Sequence, residues 1–476
     1  MKNIRQPIVR ALCVSAALLS FSGCASLSGS FPTSLKAVEK SQPVQRQLNI
    51  EKWQTANGAR VLFVPSPTLP MLDIRLVFDA GSARDGGSEG IAKLTSALFA
   101  EGAADKSVDD IARGFEDLGA QFNSASYRDM AVLELRTLTD PEFFSKATDL
   151  FSVVAGQPSF PQASLQRIRQ QMLIGLKREK QVPGPQVSRA LNEIVFGDHP
   201  YAHDSSGTES SLLALSRTDV QAYYKTFYAA QNAVIAMTGD LTLDEAKALA
   251  EKISAALPNG ERAPALPRAT AATTQNVKHL PFESSQTILL LGEQSIWRGH
   301  PDWVPLYVGN QILGGGGFAS ILTEEVREKR GFVYGIGSGI SPMAAAGPFM
   351  VQLQTANENA DEALAVTLKL VSDFVKNGPT SEQLESARES IIGSFALTAA
   401  ENDEIVGQLG AIGFYDLPLD YLTKFENEVR TVTVEQVREA FQRNIHPENL
   451  AIVSIGPKAP KIPADENAPD DKAAQP

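Results

Sequence analysis

Two stretches of this chain, 217 residues apart, are written on one plan. TDVQAYYKTFYAAQNAVIAMTGDL occupies 218–241 and EQVREAFQRNIHPENLAIVSIGPK occupies 435–458. Val220 matches Val437, Tyr224 matches Phe441, Asn232 matches Asn449 and Gly239 matches Gly456, without a gap. Each copy reads as an amphipathic helix, a turn at Asn, an apolar strand and a glycine stop. Four matches in one register mark a duplication. Whatever the first half folds into, the second half must therefore fold into something similar.

The elements within each half do not alternate strictly. Strand patterns stand at MLDIRLVFDAG (71–81), AVLELRTL (131–138), QTILLLGEQ (286–294) and GPFMVQLQTA (347–356). Helical patterns stand at DDIARGFEDLG (109–119), ADEALAVTLKLVSDFVKNG (360–378) and SEQLESARESIIGSFAL (381–397). This order predicts an α+β fold of two homologous halves, each an antiparallel sheet with helices on one face. With 43% apolar and 21% charged residues the chain has material for a large core. The halves are placed at 47–256 and 277–456. The Pro-bearing stretch 257–276 is read as a linker, and the Pro- and charge-rich stretch 457–476 as a disordered tail.

The N-terminus carries Lys2, Arg5 and Arg10, then the apolar run ALCVSAALLSF, then SGC. Residues 1–23 are read as a secretory signal, too short to span a bilayer as a mature helix. Ser22-Gly23-Cys24 resembles a bacterial lipoprotein processing site, although Phe21 stands where Leu is usual. The resemblance implies a lipidated Cys24 followed by a tether over 24–46. The alternative is an ordinary signal with a chance cysteine. Cys13 is the only other cysteine and leaves with the signal, so Cys24 has no disulfide partner. The absence of Asp after Cys24 favours an anchor in the outer membrane, facing the periplasm. Loss of residues 1–23, with three basic and no acidic groups, takes the formal charge from −12 to −15. A chain so acidic does not seek nucleic acid.

Chemistry-bearing residues are few. The histidines are His199, His203, His279, His300 and His446, and no two share a helix at ligand spacing. His199 and His203 are separated by Pro200, which breaks the helical register a metal pair needs. LGGGGFAS (313–320) follows a helical pattern and lacks the Gly-Lys-Ser/Thr ending of a phosphate loop. Its glycines read either as a helix-to-helix turn or as a close approach of backbones. SILTEEVREKRGFVYGIGSGIS (320–341) reads as a helix ending at Gly331 and then a strand. Arg327 and Tyr334, seven residues apart, can meet across that turn and hydrogen-bond a peptide carbonyl or an oxyanion. The competing reading is structural. Basic residues suit a helix C-terminus, and Tyr334 alternates with Phe332 and Ile336 as a core residue would.

Four stretches carry a family likeness, in order along the chain. They are DAGSARDGGSEGIAKLTSALFAEGA (79–103), FEDLGAQFNSASYRD (115–129), 196–240 beginning FGDHPYAHD, and LGGGGFASILTEEVREKRGFVYG (313–335). Over roughly 47–457 the chain resembles the insulinase/pitrilysin family of zinc peptidases, particularly its bacterial members with two halves. The resemblance implies two halves facing each other across a chamber that binds unfolded peptide as an added strand. Active members carry H-x-x-E-H on the glycine-bounded helix, two His binding zinc and the Glu polarising water. Here those positions hold Lys93, Ser96 and Ala97. The third ligand position falls near Ile174 or Gly175, with Glu179 a turn away. No His occurs before residue 199. The family's substrate-contacting Arg and Tyr fall on Arg327 and Tyr334, at the family's spacing.

The resemblance thus implies a subunit with no zinc of its own and no catalytic residue sufficient by itself. It would bind peptide and complete the active site of a homologous zinc-binding H-x-x-E-H chain. Two other readings stay open. One is a peptide-binding or scaffold protein of the cell envelope. The other is a zinc peptidase using unusual ligands among His199, His203, His279 and His300.

Overall fold

The computed structural model describes residues 48–270 and 272–463. The signal, Cys24 and the tether lie outside the described residues, as does the tail beyond 463. The strands of two large sheets are numbered here in chain order. The first sheet contains β1 (Glu51–Gln54), β2 (Arg60–Pro65), β3 (Met71–Phe78), β4 (Gln121–Ser126), β5 (Ala131–Leu138) and β6 (Ala233–Gly239). Its order is β1-β2-β6-β3-β5-β4. The second contains β7 (Val277–Pro281), β8 (Gln286–Gln294), β9 (Val333–Ile340), β10 (Pro348–Ala356) and β11 (Ala451–Gly456), in the order β9-β10-β8-β11-β7. Replace β2–β6 by β7–β11 and the second order is the first without β1. Most pairs are antiparallel, as expected. The pairs β2–β6 and β7–β11 are parallel, because the chain returns to them only after long helical excursions.

The 217-residue offset survives folding. Helices Arg217–Phe227 and Val434–Asn444 start and stop in register. Ser216 and Thr433 cap them, each in a reciprocal box with the third helical residue, Asp219 or Gln436. Val220 and Val437 are fully buried. The matched glycines close the strands for a steric reason. A Cβ on Gly239 would lie 2.3 Å from the Met71 carbonyl oxygen, and one on Gly456 would lie 2.7 Å from Thr287 Oγ1.

One face of each sheet packs on helices of its own half, as expected. The opposite faces are covered by exchange, which amends the expectation of helices on one face. Helix Pro183–Phe196 precedes the second sheet in the chain yet lays Val187, Leu191 and Val195 on Leu290, Val453 and Ile455 of that sheet. Helix Asn402–Phe414 returns from the second half and sets Ile405, Leu409 and Ile412 on Leu62, Val77, Val132 and Val234 of the first. The alternation of side chains along each strand supplies two apolar faces. A strand such as AVIAMTG, buried at every position, requires a cover on both. Gly413 lets the exchanged helix come close, since a Cβ there would lie 2.5 Å from Val234 Cγ1.

Polar contacts fasten the same junction. Asp129, in the turn between β4 and β5, is buried. Its Oδ1 accepts from the Tyr201 hydroxyl, and its Oδ2 accepts from the second half's Tyr415 hydroxyl at 3.0 Å and Ala344 N–H at 2.8 Å. Burial pushes the Asp129 carboxyl above its ordinary range and both phenols up as well. The Pro-rich stretch joining the sheets is bound to both of them. Ala263 N–H donates to Asn232 Oδ1 at 3.0 Å, Arg84 Nη2 donates to the Pro264 carbonyl at 2.7 Å, and Gln294 Nε2 donates to the Thr270 carbonyl at 2.8 Å.

At the end of β8, the buried Glu293 receives His446 N–H at Oε1 (2.6 Å) and faces His446 Nδ1 from Oε2 (3.2 Å). Burial raises its carboxyl to about 7. A raised acid holds its proton more tightly folded than unfolded. Its contribution is therefore full below the ordinary carboxylate range and is lost as pH rises toward 7. In urea denaturation, the stability of Glu293→Gln relative to the unaltered chain should increase from pH 5 to pH 8, and a pH-independent difference would contradict this. Leu409→Ala and Leu191→Ala should each cost about 2–5 kcal/mol in the same assay, because each opens a cavity beneath an exchanged helix.

Candidate functional site

The glycine-bounded helix of the first half is Ile91–Ala97. Gly90 caps it in the left-handed region at φ 90°. The fully buried Asp85 side chain accepts two N–H groups there: Oδ2 from Gly90 at 2.7 Å and Oδ1 from Ala92 at 3.0 Å. A carboxylate at a helix N-terminus is favoured by the macrodipole. His203 Nε2 lies 3.4 Å from Asp85 Oδ2 and 2.8 Å from the Ser82 carbonyl. Burial opposes its protonation, but the Asp85 carboxylate outweighs burial and raises its pKa above the ordinary imidazole value. Asp85 lies inside the family-like stretch 79–103, and only the fold brings it to the start of this helix.

Ile91, Leu94, Leu98 and Phe99 bury one side of this region. Of the three positions matched to the zinc motif, Lys93 and Ala97 are exposed and Ser96 is buried. Lys93 Nζ donates to Ser206 Oγ at 2.8 Å. The Ser96 carbonyl accepts from Ser124 Oγ on β4 at 3.0 Å. Ile174 and Gly175 sit on helix Gln162–Glu179, Ile174 being 43% exposed, and the nearby Glu179 is paired with Arg189. An ammonium, a hydroxyl and a methyl are not a zinc ligand set. Among the described residues no three His, Cys, Asp or Glu side chains are grouped so as to hold a metal ion. The histidines considered for an unusual site have other partners. His199 bonds to the Pro267 carbonyl, His279 to Ser454 Oγ, and His300 to the Asp302 N–H.

In the second half one glycine of the run, Gly314, serves a close approach of backbones, whereas a Cβ on Gly317 would meet nothing within 4 Å. Helix Trp303–Asn310 continues as a π turn over Gln311–Gly315. This turn is pressed against edge strand β9, so that a Cβ on Gly314 would lie 2.4 Å from Ser338 Oγ. Asn310 Nδ2 donates to the Ser338 carbonyl at 3.2 Å, and Ser338 Oγ donates to Asn310 Oδ1 at 2.8 Å. A covered edge is protected from pairing with foreign strands.

Beyond Ser320 the helix expected to end at Gly331 is also widened to a π turn, over Thr323–Glu328, and Lys329 N–H reaches the Glu324 carbonyl. Gly331 closes it at φ +64°, its N–H donating to the Arg327 carbonyl. The wide turn sets residues five apart on one side. Lys329 pairs with Glu324 at 2.9 Å and Glu325 at 2.7 Å, and Arg330 pairs with Glu325 at 2.7 Å. Arg327 is left with a longer 3.5 Å contact to Glu328 and with the ring of Phe318, whose centroid is 5.0 Å from its guanidinium carbon.

Tyr334 is not core. In the β9–β10 pairing Val333 opposes Thr355 and Gly335 opposes Gln354, which leaves Tyr334 as the extra residue of a bulge. A bulge redirects a side chain, and Tyr334 is 60% exposed. The alternation with Phe332 and Ile336 therefore misleads at this one position. Phe318, 72% exposed, is a site residue that composition and spacing did not single out. Its one signal is an aromatic placed directly after a glycine run.

Known proteins match this architecture over most of its length. The model of the insulinase domain, peptidase family M16, matches residues 60–209, and that of the peptidase M16 inactive domain matches 214–391. The crystal structure of a peptidase M16 inactive domain from Pseudomonas fluorescens superposes with a TM-score of 0.85 at 45% identity, covering 87% of this chain and 100% of that one. A Bacillus subtilis relative described as the uncharacterized zinc protease YmxG is 24% identical, over 86% of this chain and 98% of its own. A Helicobacter pylori relative described as the non-peptidase homolog YmxG is also 24% identical, over 85% and 94%. Two similar sheets, a glycine-bounded helix without its ligands and these matches together place the chain in the insulinase family of peptidases, M16.

Proposed function

We propose that this chain is the zinc-free subunit of an M16 peptidase complex: it binds extended peptide and completes the active site of a homologous H-x-x-E-H chain. The observation that carries the reading is an asymmetry between the halves. The first half keeps the helix and its Asp85 cap but sets Lys93, Ser96 and Ala97 at the motif positions. The second half presents Arg327 and Tyr334 to solvent. The relatives described as an inactive domain and as a non-peptidase homolog accord with it.

The roles divide simply. β4 is an edge strand beside the degenerate helix, joined to it by Ser124, and offers backbone groups to an extended chain. Arg327 and Tyr334 would donate hydrogen bonds to a peptide carbonyl, and would stabilise negative charge on it were that carbonyl attacked. Zinc and the water-polarising Glu belong to the partner. The chain is held in the cell envelope through lipidated Cys24, in the outer membrane and facing the periplasm.

Mixing the chain with an H-x-x-E-H homologue from the same cell should produce peptide cleavage that neither gives alone. Arg327→Ala should lower kcat/KM of the mixture by about 10- to 1,000-fold, in line with removal of one oxyanion donor. The partner's zinc content should not change. An undiminished rate with Arg327→Ala would sink the proposal. Stoichiometric zinc in the pure chain would instead revive an independent peptidase.

A further inference from the structure

Arg327 stands in a crowd of charges, and the way that crowd is paired off has a consequence. The run TEEVREKR holds three acids and three bases. Glu324 and Glu325 are taken by Lys329 and Arg330. Arg327 keeps the 3.5 Å contact to Glu328 through Nε, and its guanidinium carbon lies over the Phe318 ring, 5.0 Å from the centroid. A guanidinium held by the π face of a ring uses no hydrogen-bond acceptor there, which leaves N–H groups available.

Phe318 is itself held in place. Gly317 turns at φ +60° and Phe318 follows in a 3-10 turn, Gly317–Ala319. Ser320, fully buried, locks that turn: its Oγ donates to the Gly317 carbonyl at 2.7 Å and is hydrogen-bonded with Thr323 Oγ1 at 3.0 Å. Thr323 begins the π turn that carries Arg327. The turn bearing the ring and the helix bearing the cation are thus fastened at one point. Phe318, 72% exposed, gains little from burial, so the Arg327 guanidinium is the partner that its ring does have.

We infer that Phe318 is a positioning residue: its ring braces the Arg327 guanidinium so that N–H groups of Arg327 are presented to the backbone carbonyls of a bound peptide. The inference rests on the peptide-binding reading above and adds to it the residue that sets the geometry of Arg327. It also gives the glycine run a second use. Gly314 seats the turn against β9, and Gly317 swings the ring over the neighbouring helix.

The test is a double-mutant cycle on the full mature chain. Binding of fluorescein-labelled oxidised insulin B chain is followed by anisotropy. Phe318→Ala should weaken binding by about 2- to 30-fold, the range of a cation–π contact. Arg327→Ala should weaken it at least as much, and the double variant should be no worse than Arg327→Ala alone. Phe318→Trp should restore binding, whereas Phe318→Leu, which keeps apolar bulk without the ring, should not. Additive losses, or full binding by Phe318→Leu, would overturn the bracing role and leave Arg327 as a peptide contact. An unbound probe with the unaltered chain, or an Arg327→Ala chain that binds normally, would overturn the peptide-binding reading and the inference with it. Phe318 is exposed, so unchanged thermal unfolding of its variants serves as the folding control.

Discussion

Two sheets, each apolar on both faces, cannot both be dried by helices packed on one side. The exchange of helices between the halves meets that constraint, and the rest of the structure depends on it. Pro183–Phe196 covers the second sheet and Asn402–Phe414 covers the first, so neither half keeps its core dry without the other. Burying apolar surface on both faces is worth roughly 25 cal/mol for each Å² withdrawn from water. It also makes the relative position of the halves a property of the core rather than of a linker. Asp129 adds direction to that packing. A buried carboxylate is costly unless it is satisfied, and its acceptors are filled by groups from both halves.

This coupling gives the ligand-free helix a reason to exist. Ile91–Ala97 sits on the core through Ile91 and Leu94, is capped by Asp85, and touches edge strand β4 through Ser96. Removing zinc ligands from its exposed positions costs the core nothing. Removing the helix would open the core. Chemistry can be lost from a surface more cheaply than architecture from an interior.

The candidate residues come from two sources. Lys93, Ser96 and Ala97 are placed by the family resemblance alone, whereas Arg327 and Tyr334 also stand out as a guanidinium and a phenol seven residues apart across a helix-to-strand turn. What periodicity misjudged was the direction of side chains. Tyr334 alternates with Phe332 and Ile336 and reads as core, yet a single inserted residue in the ladder turns it out to solvent. The helix before Gly331 reads as α-helical, yet widens by a residue per turn and so repairs its charges at a spacing of five. Bulges and π turns shift register without leaving a mark in composition, so a pattern search passes over them. Phe318 was invisible for a related reason, since its partner is nine residues away around two turns.

The sequence by itself determined the duplication and the α+β class, which are matters of periodicity and residue type that local patterns carry; Lys93, Ser96, Ala97, Arg327 and Tyr334 are singled out by the family resemblance. Only the tertiary structure decided which helix covers which sheet, which groups satisfy Asp129, and why Gly314 and Gly317 stand before Phe318. Those outcomes rest on contacts between residues far apart in the chain, such as Val234 with Gly413 or Asp129 with Tyr415. No window of sequence contains both partners, so only their packing could bring them together.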